Sequence, residues 1–333
     1  MLFSLIIPVY NRPDDIREVL EGLTQQTYRN FEVIVVESGS TIPSDTVVES
    51  FDSQLDIQYA PTGNNGQGFS RNHGMAQAKG DYFIILDSDI IIPPQYLETV
   101  HRHLQDHYLD AFGGPDRAHP SFTAVQKAAD FALTSYLTTG GTRGNKRQTG
   151  AYHPRSFNMG FSREVYEATQ GFALPNCGED LELSIRIRKL GFQTGLIPGA
   201  FVYHKRKDTL KGFFQQMVWF GKSRINLLRI YPDSFKPLHL LPLGFYAFLL
   251  AWLVAAAAMP ALAVVFGGLL GAYLLAILVA AGVRYRSLRV ALLSLVTSVS
   301  VFLGYGYGLV KYYLAQSGPY TPPPDRIKTT AAS

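Results

Sequence analysis

Short apolar, β-branched runs alternate with segments of helical periodicity over the first hundred residues. The apolar runs cover 3–9, 31–36, 57–59 and 82–86, and the helical patterns cover 14–23 and 70–78. Strands that alternate with helices predict an α/β fold with a parallel sheet. Ligands bind such sheets beyond the carboxyl ends of the strands. We therefore expect Tyr10, Asn11, Glu37, Asp87 and Asp89, which end or follow these runs, to share one crevice.

The pattern continues less regularly up to about residue 208. It predicts a strand at 157–161, a helix at 179–190, and strands at 194–204 that break at Pro198-Gly199. Between them, residues 140–155 are Gly-rich, basic and aperiodic, which is typical of a loop. Its Arg143, Lys146 and Arg147 fit three interpretations equally well: contact with donor phosphates, contact with a lipid phosphate, or solvation.

A long apolar region follows a segment of mixed character. Residues 238–283 contain no Asp, Glu, Lys or Arg, and residues 290–310 contain none either. Because about 20 apolar residues cross a bilayer, we predict spans at 238–259 and 262–283, with a less certain third at 290–310, all within 238–315. Met259-Pro260 or Gly267-Gly268 is expected to form the first turn. Before the spans, residues 209–237 predict an amphipathic helix at the membrane surface and a linker.

Basic residues flank the apolar region and predict its orientation. They precede the first span and follow the second, so a helical hairpin places both clusters inside under the positive-inside rule; these residues are Arg224, Arg229, Lys236, Arg284, Arg286 and Arg289. The first nine residues lack the basic start of a signal peptide. We expect a multi-pass protein of the plasma (inner) membrane, with residues 1–208 in the cytoplasm. A third crossing would place the Pro-rich tail at 316–333 outside.

Composition narrows the possible partners. Charged residues are 17% of the 333, the formal net charge is +4, and the mean hydropathy is +0.05. The basic excess lies partly beside the predicted spans and has no interleaved aromatic stripe, which favours membrane lipid over nucleic acid. The single cysteine, Cys177, excludes an internal disulfide and a multi-cysteine metal site.

The stretch YFIILDSDIII (82–92) places Asp87 and Asp89 within strand-forming aliphatic residues. Burying unpaired carboxylates is costly, so a cation is expected to meet them. One hard divalent ion can bind both acids and bridge to a diphosphate. The sequence GQGFSR (66–71) lacks the last glycine of the dinucleotide-binding fingerprint, and no Walker lysine motif is present, which argues against dehydrogenases and P-loop enzymes.

Residues 1–231 resemble the family 2 glycosyltransferases of GT-A fold, which is a Rossmann-like nucleotide-sugar-binding domain. Seven segments match in the family's order: IIPVYN (6–11), VVESGS (35–40), GFSRNHG (68–74), ILDSD (85–89), FNMGF (157–161), GEDLELSIRIRKLG (178–191) and VYH (202–204). The resemblance implies an enzyme that transfers a sugar from a nucleoside diphosphate with inversion.

The resemblance also assigns site residues. Donor contacts would come from Pro8, Tyr10, Asn11, Glu37, Arg71, Asp87 and Ser88. The metal, Mn²⁺ or Mg²⁺, would be bound by Asp89, His204 and Asp87, and the imidazole nitrogen favours Mn²⁺. Asp180 would be the catalytic base, with Glu179 supporting it. Glu37 stands where many relatives have Asp, which weakens the case for a UDP donor, although either carboxylate can accept the uracil imide N–H.

One motif departs from the processive members of the family. Those carry QxxRW before the membrane, whereas residues 215–219 read QQMVW, with Val218 in the arginine position. Valine cannot make the charge-assisted contacts of a guanidinium. We therefore predict transfer of a single sugar. The predicted placement against the membrane indicates a lipid-linked acceptor, such as a polyprenyl-linked saccharide, in cell-envelope or exopolysaccharide biosynthesis. The alternatives are a processive polysaccharide synthase and a non-catalytic nucleotide-sugar-binding membrane protein; oligomeric state stays open.

Overall fold

The computed structural model describes residues 1–140 and 152–315, which group into two compact units. The first unit contains residues 1–119 and 152–205, and the second contains residues 120–140 and 206–315. The predicted tail at 316–333 lies outside the described residues. So do most of the predicted loop at 140–155 and its three basic residues, Arg143, Lys146 and Arg147.

The first unit is built on a mixed sheet. Ten strands occur among the described residues: β1 (Phe3–Val9), β2 (Phe31–Ser38), β3 (Ile57–Thr62), β4 (Tyr82–Leu86), β5 (Ile90–Ile91), β6 (Ala111–Gly113), β7 (Asp116–Arg117), β8 (Asn158–Ser162), β9 (Thr194–Leu196) and β10 (Val202–His204). Seven form one sheet in the order β3-β2-β1-β4-β8-β6-β9, and three form a second in the order β5-β10-β7.

The predicted parallel pairing holds for part of the large sheet only. Strands β1 to β4 pair in parallel. Strand β8, for which the sequence predicted no direction, runs antiparallel to both β4 and β6. Alternation of apolar residues identifies a strand but carries no information on its direction, which depends on the long connection between β6 and β8.

Twelve α-helices occur among the described residues. The first unit contains α1 (Pro13–Thr24), α2 (Asp45–Glu49), α3 (Gln67–Met75), α4 (Tyr96–Asp106), α7 (Arg163–Thr169) and α8 (Glu179–Lys189); the second contains α5 (Ala124–Thr134), α6 (Tyr136–Thr139), α9 (Leu210–Ile230), α10 (Leu241–Ala258), α11 (Pro260–Tyr285) and α12 (Leu288–Leu314). The helices at 14–23, 70–78 and 179–190 were predicted within three residues at each end.

The large sheet separates two apolar cores. Ile7 of β1 packs into the cluster that contains Val19 of α1 and Val100 of α4, whereas its neighbour Ile6 packs with Leu183 of α8 on the other face. Successive strand residues point to opposite faces, so both faces of the central strands are apolar. Each such buried side chain stabilises the fold by about 1.5–3 kcal/mol. This packing fixes the strand ends on which the polar residues sit.

The carboxyl ends of β1, β2 and β4 lie along one edge of the large sheet. Strand β1 lies between the other two, with Val9 opposite Glu37 and Ile6 opposite Ile85. The strand order therefore reverses at β1, which is the topological position where open α/β sheets bind ligands.

In the second unit, three helices are long and apolar enough to cross a membrane. They cover Pro237–Ala258, Pro260–Tyr285 and Leu288–Leu314. The chain turns at Met259, where Pro260 begins α11, because proline fits the first turn of a helix but not its interior. The alternative turn, Gly267-Gly268, lies inside α11.

Helix α9 packs closely along α12 through small residues. A Cβ added at Gly308 would lie 2.3 Å from the carbonyl oxygen of Val218, and one added at Gly221 would lie 2.4 Å from that of Tyr305. Phe213 and Met217 are buried in the same contact. The helix predicted at 209–231 is thus present as Leu210–Ile230, with part of its apolar face against protein. Its placement at a membrane surface stays a prediction.

Candidate active site

Two carboxylates and one imidazole converge beyond the end of β4. Nε2 of His204 lies 3.3 Å from Oδ1 of Asp89 and 4.0 Å from Oδ2 of Asp87. Each of the three residues offers one possible ligand atom, and these three atoms all lie within 4.8 Å of one another. Among the described residues, this is the group whose donor set suits one divalent ion: two carboxylates for a hard cation and one nitrogen for a transition ion.

Local chain geometry brings these three residues together. Strand β4 ends at Leu86, residues 87–89 form the turn, and β5 then pairs antiparallel with β10, with Ile90 opposite His204. The Lys205 N–H donates to the carbonyl oxygen of Asp89 at 2.9 Å. The His204 ring also stacks on Phe157, with ring centres 5.0 Å apart. The apolar run therefore forms two strands, β4 in the large sheet and β5 in the second sheet. The two acids lie in the turn between these strands.

Arg12, which the sequence reasoning missed, contacts this cluster. It follows β1 and donates a hydrogen bond to Oδ2 of Asp89. Burial alone would raise the pKa of Asp89, but the hydrogen bond with His204 and the charge of Arg12 hold that pKa well below its usual range. Asp89 is thus ionised throughout the neutral range. The position of Arg12 directly after the YN of the first matching segment was the available signal.

Arg71 connects the cluster to the start of α8. Its guanidinium donates to Oδ1 of Asp87 at 2.9 Å and to Oε1 of Glu179 at 3.1 Å, and it is 1% exposed. Burial lowers the pKa of Arg71, but Asp87 and Glu179 outweigh this effect and raise it, so the group stays charged. The structure thus joins three predicted site residues, from α3, the turn after β4 and α8, in one chain of ion pairs.

The amino end of α8 holds the two predicted catalytic acids. Cys177 and Gly178 adopt positive φ angles of 68° and 101°, a turn that leads directly into Glu179. Burial, and then the charge of Asp180, raise the pKa of Glu179. Asp180 is less buried and lies 3.6 Å from Nη1 of Arg155. A helix amino terminus stabilises an ionised carboxylate at this position.

Arg155 is a second residue that sequence reasoning did not select. It belonged only to the predicted loop at 140–155, although it lies two residues before the matching FNMGF segment. In the folded chain its guanidinium forms an ion pair with the Asp180 carboxylate. Periodicity gave no signal for it, since its role depends on the fold rather than on local pattern.

Glu37 and Asn11 form a separate network on the same edge. Glu37 is buried and accepts hydrogen bonds from the Ser44 N–H at 2.8 Å and from the Ser40 hydroxyl. Asn11, with φ 52°, accepts from the Thr41 N–H at 2.8 Å. These hydrogen bonds therefore brace the loop after β2.

The remaining predicted donor residues lie near these two networks. Tyr10 is half exposed at the end of β1, Pro8 is partly buried within that strand, and Ser88 is buried between the two acids. Tyr10 thus presents an accessible ring at the edge where β1 and β4 diverge.

Comparison with known proteins supports this chemistry. The family model described as "Glycosyl transferase family 2" matches residues 4–169. Glycosyltransferase GlyA of Streptococcus pneumoniae is 35% identical over 109 residues, which cover 32% of this chain and 16% of that protein. Glycosyltransferase GlyG of the same organism is 32% identical over 116 residues, which cover 34% of this chain and 38% of that protein. The chain thus matches well under half the length of these relatives.

A solved structure shares the fold over most of the chain. It is the mannosyltransferase PcManGT from Pyrobaculum calidifontis, in complex with GDP-Man and Mn²⁺, with a TM-score of 0.68 and 20% identity. The likeness covers 95% of this chain and 88% of the other. At this identity the comparison establishes the fold alone, which is the GT-A fold.

Proposed function

Because the chain belongs to glycosyl transferase family 2 through its residues 4–169, we propose that it is an inverting, metal-dependent glycosyltransferase. It transfers one sugar from a nucleoside diphosphate sugar, for which we propose a UDP-sugar, to a hydroxyl of a lipid-linked acceptor. The observation that carries the proposal is the convergence of Asp87, Asp89 and His204 at one edge of the sheet with the acidic amino end of α8 nearby in the same ion-pair chain.

Asp87, Asp89 and His204 are the residues that would bind the divalent ion. A bound Mn²⁺ or Mg²⁺ would neutralise the negative charge of the leaving nucleoside diphosphate, which is the charge that grows most in the transition state. Arg71 and Arg12 position the ligands, since each donates to one of the two carboxylates. Because Arg71 is almost fully buried, we assign it to holding Asp87 rather than to direct contact with the donor.

Tyr10, Pro8, Asn11, Glu37 and Ser88 are proposed to bind the nucleoside. The exposed ring of Tyr10 is suited to stack on a base at the edge of the sheet. Asn11 and Glu37 shape the loop beside it through their hydrogen bonds. The carboxylate of Glu37 retains acceptor capacity beyond these bonds, which supports a uracil N–H as its partner.

Asp180 is proposed to be the general base. An ionised carboxylate can accept the proton of the acceptor hydroxyl as that oxygen attacks the anomeric carbon from the side opposite the leaving diphosphate. Asp180 lies in the first turn of α8 and 3.6 Å from the Arg155 guanidinium, which can hold the carboxylate in place for this step. Glu179 is already engaged with Arg71, so we assign it a positioning role. A single displacement of this kind inverts the anomeric centre.

The three long apolar helices support membrane insertion and a lipid-linked acceptor. We propose a multi-pass protein of the inner membrane with the catalytic unit in the cytoplasm, and a polyprenyl phosphate or diphosphate saccharide as acceptor in envelope or exopolysaccharide biosynthesis. Single transfer is preferred because Val218 occupies the motif position of the arginine of processive enzymes, and its carbonyl oxygen packs against Gly308.

The test uses the full chain in detergent. Uridine diphosphate should raise the thermal stability with Mn²⁺ present and lose this effect after EDTA. Asp180→Asn should lower the transfer rate by roughly 10²–10⁴-fold while donor binding stays unchanged, since only proton removal is affected. Asp106→Asn, an exposed acid at the end of α4, is the matched control and should leave the rate unchanged. Donor stabilisation that persists in EDTA, or an active Asp180→Asn variant, would contradict the proposal.

A further inference from the structure

The carboxyl-terminal part of α5 and all of α6, residues 131–139, form a short uncharged arm beside the long apolar helices. From Phe131 to Thr139 the chain contains no charged residue, although this segment was not predicted to enter the membrane. We propose that this arm inserts into the hydrocarbon of the bilayer leaflet that holds the basic end of α11, so that lipid acyl chains contact Tyr136 and Leu137. The inference rests on the proposed membrane insertion of α10 to α12.

Contacts with α11 set the depth of this arm. At one end, the Arg284 guanidinium and the Tyr285 hydroxyl donate to Asp130 of α5 at 2.9 Å and 2.7 Å. At the other end, the Tyr273 hydroxyl donates to the carbonyl oxygen of Leu137 at 2.9 Å. Tyr273 lies about three turns before Arg284, which corresponds to roughly 16 Å along the helix axis. The arm therefore follows α11 from its basic end toward the middle of a bilayer core about 30 Å thick.

The single carboxylate of α5 is compensated. The side chain of Asp130 is 1% exposed and lies 3.6 Å from Nη2 of Arg206 in addition to its bonds with Arg284 and Tyr285. A charge at this depth is tolerated only when it is paired. The ion pairs thus allow α5 to enter an apolar environment at its Asp130 end.

The break between the two helices is also satisfied within the protein. The hydroxyl of Thr138 donates to the carbonyl oxygen of Ala132 at 2.5 Å. The hydroxyl of Thr139 donates to the carbonyl oxygen of Leu133 at 2.9 Å. Together with the hydroxyl of Tyr273, these side chains form hydrogen bonds to carbonyl groups that would otherwise lack a partner at the helix break. Such compensation is required in hydrocarbon, where no water can take its place, and is optional at a wet surface.

The arm and α11 both expose apolar side chains. Tyr136 is 50% exposed and Leu137 is 38% exposed. On α11, between Tyr273 and Arg284, Leu275 and Val279 are also largely exposed. Both elements thus expose apolar side chains over the same length of α11, and the acyl chains proposed to surround α11 are the matching partner for both.

The test places an environment-sensitive fluorophore at three positions of the full chain in lipid nanodiscs. Tyr136→Cys probes the arm, Leu275→Cys probes α11, and Tyr108→Cys, which is 51% exposed in the first unit, is the matched surface control. The parent chain, whose only cysteine is the buried Cys177, measures background labelling. Each labelled variant is measured with and without lipids that carry a nitroxide quencher on the acyl chain.

We expect the label at 136 to emit at short wavelength and to be quenched as strongly as the label at 275, whereas the label at 108 emits as in water and is not quenched. If 275 is quenched and 136 behaves like 108, the arm is outside the bilayer and the inference is wrong. If 136 emits at short wavelength without quenching, protein covers it and the inference is also wrong. If 275 is not quenched either, membrane insertion of α11 itself fails, which separates the two proposals.

Discussion

Two acidic clusters, one in each unit, have opposite consequences. In the first unit, Asp87 and Asp89 lie with His204 in one group whose ligand atoms are within 4.8 Å of one another. In the second unit, Asp130 is even less exposed and meets Arg206, Arg284 and Tyr285. Both place carboxylates among apolar residues and both recruit arginines.

The difference lies in which groups converge. At Asp130, hydrogen-bond donors of the protein surround one carboxylate and use its capacity to accept hydrogen bonds. This carboxylate is therefore not expected to bind a further cation. At Asp87 and Asp89, two anions and an imidazole face a common point, and each arginine engages only one of the two acids. Burial of an acid is therefore a poor guide to function, whereas convergence of several acceptors on one point is a good one.

The largest expected effect comes from breaking the first cluster. Asp89→Asn removes a charged ligand and leaves Arg12 with a neutral partner. If the ligand set stabilises the leaving diphosphate by about 4 kcal/mol, turnover falls by roughly 10³-fold. Mn²⁺-dependent stabilisation by uridine diphosphate should be lost in the same variant, as measured by thermal denaturation.

Asp106→Asn serves as the control for this variant as well, since it removes a carboxylate of the same unit without touching the cluster. An Asp89→Asn enzyme with normal turnover and normal response to Mn²⁺ would remove the distinction between the two clusters.

A substitution in the second cluster should lower the stability of the second unit without changing the binding of the nucleotide donor. Asp130→Asn leaves Arg206, whose side chain is 2% exposed, without its carboxylate. Breaking a buried ion pair costs about 3 kcal/mol. Both tryptophans of the chain, Trp219 and Trp252, lie in the second unit, so the thermal transition of tryptophan fluorescence in detergent reports on that unit. We expect a lower Tm and unchanged Mn²⁺-dependent donor binding.

Asp208→Asn is the matched control, because Asp208 is exposed in the same unit. An unchanged tryptophan transition in Asp130→Asn would contradict the stabilising role of Asp130. Loss of donor binding in a folded Asp130→Asn protein would instead show that Asp130 contributes to function.

A smaller effect tests the packing of the second unit without any charge. Gly308→Leu puts side-chain atoms where the backbone of α9 passes α12. Overpacking of this kind costs about 1–3 kcal/mol. Gly268→Leu adds the same side chain to α11, at a position with nothing within 4 Å. The tryptophan transition should shift for the first variant only; equal shifts would show that the α9 and α12 contact is not tight.

Much of the first unit could be predicted from local pattern. Strands β1 and β4 have the predicted bounds, because continuous β-branched runs identify buried strands whatever surrounds them. Asp87 and Asp89 were found because acids inside such a run are unusual enough to require a partner, whereas His204 was assigned through the family resemblance. Arg12 and Arg155 were not found, since an arginine at a strand end or in a basic loop is common and only the fold brings it to an acid.

The second unit was predicted in outline and missed in detail. Charge-free runs of sufficient length identify apolar helices by composition alone. The contact of α9 with α12 and the arm of α5 and α6 follow instead from Gly221, Gly308 and Asp130, whose partners lie far away in the chain. Helical periodicity indicates that a face is apolar and does not distinguish a lipid from another helix as its partner.

The amino-acid sequence by itself determined the strands, the long apolar helices and the acids of the D-x-D turn, because these depend on backbone preference, hydrophobicity and the cost of burying charge. The direction of β8, the positions of Arg12, Arg71 and Arg155, and the compensation of Asp130 were decided only by the tertiary structure. These features depend on distances between residues far apart in the chain, and such distances exist only after the sheet and the helices have packed.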